Sequence, residues 1–216
     1  HGMGVHAHTI GDGAVRFMMD AVAEAETAAG SFDQRNIFVH LQLVDPADIK
    51  RMGEYNVIAG TAPLWVPKIP GVSDQEAIYV GDERTELFYP VKSFIDADVV
   101  TVSHTDYPVS SAMSIPETIY LGVTRASQGD PSSIRGPQEA VTRMDVLRSL
   151  TTNVAYMWRM EDRLGSLEVG KIANATVYDK DFLNGDLEEI PQAQLVSTIV
   201  DGNVVYSKQF LQEMSN

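Results

Sequence analysis

Short apolar runs alternate with amphipathic stretches along the first hundred residues of the chain. GVHAH (4–8), NIFVHLQLV (36–44), NVIAGTAP (56–63) and DVVTVSHTD (98–106) read as four strands. All four are apolar with little polar alternation, the pattern of strands covered on both faces. Between them lie helical patterns. Residues 14–28 place Ala14, Met18, Ala21, Ala25 and Ala28 on one stripe. DPADIKRM (45–52) opens a helix with Asp45 as N-cap and Pro46 at the first helical position. PVKSFIDA (90–97) reads as a third helix, whereas Pro63, Pro67, Pro70 and Gly71 mark an irregular segment. Residues 137–157 form one helix with Val141, Met144, Leu147, Leu150 and Val154 at core spacing.

Four strand–helix units in succession imply a parallel sheet, either doubly wound or half of an eight-fold barrel. The pattern changes near Leu164. GSLEVGKIANATVYDKD (165–181) is a turn followed by alternation at Ile172, Ala175 and Val177. LVSTIVDGNVVYSK (195–208) joins two β-branched runs through Asp201-Gly202, a hairpin dipeptide. The expected division is therefore a parallel unit over 1–163 and a small antiparallel β unit over 164–216.

Composition narrows the function. The chain has 216 residues, 16 basic and 30 acidic, for a formal charge of −14. That acidity argues against nucleic acid or anionic lipid as a partner. No run of 18 apolar residues is present, so no membrane span is expected. With no cysteine, disulfides and thiolate metal sites are excluded. A cytoplasmic location is the expectation. His1 is not a methionine, and a motif follows almost at once, so the chain is expected to start inside a longer protein.

Ligands of parallel α/β folds gather at the carboxyl ends of the strands. His8, His40 and Asp106 each lie at or near such an end. A divalent metal held by nitrogen and oxygen needs neutral imidazoles and a carboxylate within about 2.0–2.2 Å of one point. For one histidine a hydrogen-bonded core role would suffice; three such residues at strand ends make a metal centre an equal reading. His6 and His8, two apart on a strand, face one side, so one of them could be a mere neighbour. His104 and Asp106 pose the same alternative. Gly11-Asp12-Gly13 is a poor phosphate loop, lacking Lys-Ser/Thr, and Asp12 reads better as a helix cap. No G-x-S-x-G supports a serine hydrolase.

HTIGDGAV (8–15) resembles the segment after the fifth barrel strand of the amidohydrolase superfamily, in its family-3 branch. That branch contains N-substituted formamide deformylases and metal-dependent hydrolases, some labelled exoenzyme regulatory proteins. VHLQLVDPADIKRM (39–52) is similar to its sixth-strand motif, and DERTELFYPVKSFIDADVVTVSHTDYPVS (82–110) to the run into its eighth strand. GSLEVGKIANATVYDKD resembles its closing signature. The resemblance implies the carboxyl-terminal half of a (β/α)8 TIM-type barrel, strands five to eight, followed by part of a small β domain. It implies metal ligation by His8, His40 and Asp106, with Asp106 also the general base, and a divalent metal, zinc. Hydrolysis of an amide-like C–N bond in a small-molecule substrate follows. Trp65 and Arg84 are candidates for the substrate pocket, with Arg125 behind them.

The departures carry weight. The first-strand H-x-H and the fourth-strand ligand of that superfamily are unaccounted for. Val39 stands where the branch has glutamate, Ala62 where it often has glutamine, and Asn174 where the closing signature has aspartate. The last substitution reads as structural. Half a barrel exposes sheet edges, so the expected partner is the amino-terminal half or a second copy, which admits a homo-oligomer. The isolated chain is expected to be inactive. The alternative is a non-catalytic regulatory or interaction module that keeps the fold.

Overall fold

The computed structural model describes residues 3–30, 33–110 and 114–209. Each apolar run contributes one strand: β1 (His6–Thr9), β2 (Ile37–His40), β3 (Ile58–Thr61) and β4 (Thr101–Ser103). They pair in parallel in the order β1-β2-β3-β4. The order never reverses, so the sheet has no switch point of the doubly wound kind. The strands are shorter than the runs that predict them. In 98–106 the left-handed backbone of Asp98 (φ 57°) and Asp106 (φ 56°) ends the extended stretch on either side.

Helices cross between the strands. α1 (Asp12–Ala29) links β1 to β2, and α2 (Pro46–Glu54) links β2 to β3. Asp45 caps α2 as expected, its carboxylate accepting from the Ala47 amide at 2.8 Å. The segment read as irregular holds two helices before the expected third, α3 (Val72–Val80), α4 (Asp82–Thr85) and α5 (Val91–Asp96). α3 buries no residue, so it has no apolar stripe for a periodicity to detect. Gly71 and Gly81, both with positive φ, bound it.

The two faces of the sheet have separate cores. Phe38 and Ala59 pack with Val15 and Met19 of α1, Ile49 and Met52 of α2 and Phe94 of α5. The expected stripe of α1 is displaced: Val15 and Met19 are buried, while Ala21, Ala25 and Ala28 are exposed. Alanines offer little area to bury, so the larger Val and Met side chains set which face turns inward. α1 and α2 are also tied electrostatically. The fully buried carboxylate of Asp48 receives Arg16 Nε at 2.6 Å and Arg51 Nη1 at 2.9 Å.

Beyond β4 the chain forms α6 (Ile115–Thr124), α7 (Arg143–Leu150) and α8 (Thr152–Met157). The single helix expected over 137–157 is broken into a 3₁₀ turn, α7 and α8. A capping box of Thr142 and Asp145 starts α7 afresh, and Thr151 (φ −131°, ψ −89°) leaves helical geometry between α7 and α8. Val141, Leu147 and Leu150 join a core around Ile119, Val146 and Ile190, whereas Met144 is exposed. Val154, Tyr156 and Met157 of α8 cover Ile37, Val39, Ile58 and Val102 on the second sheet face. Arg35 fixes this packing through Glu161 at 2.7 Å and by lying 3.8 Å over the Tyr156 ring.

The antiparallel unit matches its pattern: β5 (Ala175–Tyr178), β6 (Leu195–Val200) and β7 (Asn203–Ser207) pair in that order. Asp201 (φ 50°) and Gly202 (φ 76°) make the tight turn. Asn174 is structural, as expected, its Oδ1 accepting from the Asp201 amide at 2.8 Å. Residues 210–216 of the expected unit lie outside the described residues. Among the described residues no helix is long and apolar enough to cross a membrane.

Candidate functional site

The carboxyl ends of β1 and β2 bring two imidazoles into contact. His8 pairs in register with Val39, one residue before His40. Strict alternation would send His40 with Phe38 to the face covered by α1, α2 and α5, away from the Val39 side. Its backbone instead leaves the β region, with φ 75° at His40 and 50° at Leu41. Two consecutive residues in left-handed space are costly without glycine, of order 1–3 kcal/mol each. His40 Nε2 lies 2.6 Å from His8 Nδ1, a hydrogen bond that needs one protonated and one bare nitrogen.

Two further rings close around His40. Trp65 stacks on it with centroids 5.5 Å apart at 23°, and His104 meets it edge-on at 5.7 Å. The Trp65 indole N–H donates to Ser110 Oγ at 2.6 Å, fixing the ring plane. Burial lowers His40 below the ordinary imidazole value; His8 pushes the same way and Asp106 opposes. Burial also lowers His104, with His40 adding to it and Asp106 and the Gly60 carbonyl opposing. Asp106 is thus electrostatically coupled to both rings. Its positive φ sits in a turn whose carbonyl accepts from Val109 and Ser110.

Two buried ring nitrogens, His40 Nδ1 and His104 Nε2, have no hydrogen-bond partner. An orphaned buried polar atom costs roughly 1–3 kcal/mol. Among the described residues no three His, Asp or Glu side chains stand together in an arrangement that could hold a metal ion.

His40 therefore meets both His8 and Trp65 directly, and Asp106 acts on His40 and His104 through its charge. Arg84 is bound to Asp12 at 2.5 Å, both half-exposed, rather than to Glu83 or Glu86. That pairing corrects the reading of Asp12 as a cap: Gly11 holds the N-cap position, and Asp12 lies one residue inside α1. Arg125, the weaker pocket candidate, is structural. It is fully buried, donating to the carbonyls of Arg135 at 2.7 Å, Phe88 at 2.8 Å and Tyr89 at 3.0 Å. Burial pulls its pKa down to about 10. His104, the alternative to Asp106 by its i,i+2 spacing, lies against His40, whereas nothing in the sequence marks Ser110 as the partner of Trp65.

The sequence model of the amidohydrolase family matches residues 1–206. The N-substituted formamide deformylase of Arthrobacter pascens is 27% identical over 209 residues, 96% of this chain and 37% of that protein. An uncharacterized metal-dependent hydrolase from Pyrococcus furiosus is 29% identical, with a TM-score of 0.59 over 78% of this chain and 31% of its own. An adenosine deaminase from Xanthomonas campestris, solved with bound zinc, shares the fold at 19% identity. Its TM-score is 0.61, over 95% of this chain and 46% of its own. The chain spans only 34–38% of the length of the curated relatives it matches.

Proposed function

The chain belongs to the amidohydrolase family, and on that premise we propose that it carries the carboxyl-terminal half of a (β/α)8 hydrolase barrel, strands five to eight. His8, His40 and Asp106 are the residues that would hold a divalent cation, zinc; as they stand, with the two rings hydrogen-bonded to each other, they do not yet form such a set. The observation that carries this reading is the meeting of His8 Nδ1 and His40 Nε2 at 2.6 Å across neighbouring strand ends. The nitrogen and oxygen donors suit zinc, and the orphaned His40 Nδ1 and His104 Nε2 fit a centre built for a further polar group. When bound, the cation supplies Lewis acidity, lowering the pKa of a water and polarising a carbonyl.

The chain's own residues do the rest. Asp106 takes the proton from the attacking water and returns it to the departing nitrogen. Trp65, locked by Ser110 and stacked on His40, forms an apolar wall for a small substrate. Arg84 sits at the mouth, held by Asp12. An N-substituted formamide is the substrate class, by analogy with the deformylase relative.

The partner of this half is the other half of the barrel. Among the described residues β1 and β4 are the unpaired edges of the sheet, and Met3, Val5, Ile10 and Phe17 are exposed near β1. The isolated chain is inactive on this reading. The test is formate release from N-substituted formamides, with zinc, by the chain joined to the coding sequence upstream of it. Asp106→Asn reduces turnover by about 10²-fold or more; unchanged turnover overturns the assignment. The second reading, a non-catalytic module, draws on the same contact, since a hydrogen bond between His8 and His40 occupies the nitrogens a metal would need. Zinc binding by the chain decides against it.

A further inference from the structure

The helix α3 is attached to the fold by polar contacts rather than by an apolar face. Its inward stripe is Ser73, Glu76, Ala77 and Val80, at helical spacing and none of them fully buried. Of these, Val80 alone joins a hydrophobic cluster, beside Trp65, Phe88 and Tyr89. The large apolar side chains Ile78 and Tyr79 face solvent, at 80% and 86% exposure. A nine-residue helix is too short to hold its shape alone in water, so its docking decides whether it forms.

One guanidinium supplies much of that docking. Arg135, 1% exposed, donates through Nη2 to Ser73 Oγ and to Glu76 Oε2, each at 2.7 Å, and lies 5.3 Å over the Phe88 ring. The other carboxylate oxygen of Glu76 accepts from Gln42 Nε2 at 3.2 Å, two residues past His40. Arg135 Nε and Nη1 find no hydrogen-bond partner among the described residues. The docked state thus leaves two buried donors unsatisfied, a cost that undocking removes by letting water reach them.

Both ends of α3 are free to turn. Gly71 (φ 81°) and Gly81 (φ 83°) take a conformation that favours glycine, and a Cβ on either would meet nothing within 4 Å. Beyond Gly81, the half-exposed pair of Arg84 with Asp12 ties α4 to the start of α1, three residues after β1. The segment therefore runs from Arg135 past the carboxyl end of β2 to that of β1. On the way it packs beside Trp65, the ring stacked on His40.

We propose that α3 is a hinged lid over the carboxyl ends of β1 and β2, latched by Arg135 on Glu76 and Ser73. Opening breaks the latch, turns about Gly71 and Gly81 and uncovers Trp65. The lid stands apart from the metal reading, since it covers the same strand ends whether or not a cation binds there.

The test is amide hydrogen exchange of the full chain, read by mass spectrometry. It is paired with acrylamide quenching of Trp65 in a Trp158→Phe background, Trp65 and Trp158 being the two tryptophans of the chain. In the wild type the α3 amides exchange at least about 100-fold faster than those of α1 and α2, because the lid opens without global unfolding. Glu76→Gln keeps an acceptor and removes the charge. It speeds α3 exchange about tenfold, the effect of losing a charge-assisted hydrogen bond, and raises Trp65 quenching while α1 and α2 keep wild-type rates. Wild-type α3 amides as protected as those of α1 overturn the lid, and this comparison decides even if Glu76→Gln fails to fold. Equal acceleration of α1 in Glu76→Gln also overturns it, as does faster α3 exchange with unchanged Trp65 quenching, because α3 then covers nothing.

Discussion

His8 Nδ1 and His40 Nε2 stand 2.6 Å apart although 32 residues separate them in the chain. The contact depends on a backbone departure at His40, whose φ of 75° turns the ring off the face that strand alternation assigns it. Strain at a strand end, retained where a side chain must be aimed, is a recurrent mark of sites rather than of cores.

Acid should destabilise the metal-free chain through these rings. Burial lowers both His40 and His104 in the fold, so they stay neutral there and protonate more readily when unfolded. Their contribution is fully present above the unfolded value of about 6.5 and is lost as the pH falls through and below it. Thermal melts between pH 7.5 and 5 (roughly the window around that value) should show a falling Tm, with a shallower fall in His104→Asn. Identical slopes would contradict the burial argument.

Arg125 should matter for stability and not for substrate. Its guanidinium satisfies three backbone carbonyls inside the fold. Arg125→Met strands them and should cost about 3 kcal/mol or more in urea denaturation. A loss below about 1 kcal/mol would show that the carbonyls find other partners.

Asp48 presents a similar case at the α1–α2 contact. It is fully buried between Arg16 and Arg51. Asp48→Ala leaves two cations facing each other without their shared carboxylate. The expected loss is about 3–5 kcal/mol, read as a shift in denaturation midpoint at constant slope.

Arg84 should behave in the opposite way. Its pair with Asp12 is half-exposed on both sides, and such pairs contribute less than about 1 kcal/mol. Arg84→Gln should leave Tm within about 4 °C. In the joined enzyme it should raise KM if the residue faces substrate.

The legible part of the fold was what periodicity reports. Apolar runs located all four parallel strands, and the Asp201-Gly202 turn located the hairpin. What escaped has physical reasons. α3 buries nothing, so no stripe announced it. α6 is marked in the sequence only at its start, where Ser114 and Glu117 form a capping box with Pro116 inside the first turn. The break at Thr151 is a backbone event inside an unbroken apolar pattern. In the site, strand ends pointed to His8 and His40. Arg125 looked like a pocket cation because sequence gives charge without burial.

On the proposed function His8, His40 and Asp106 share one cation. The direct measurement is an anomalous-scattering map of crystals of the chain grown with zinc. A peak is expected at the carboxyl ends of β1, β2 and β4, bounded by those three side chains. A peak elsewhere, or His8 and His40 still hydrogen-bonded to each other in saturating zinc, would contradict it.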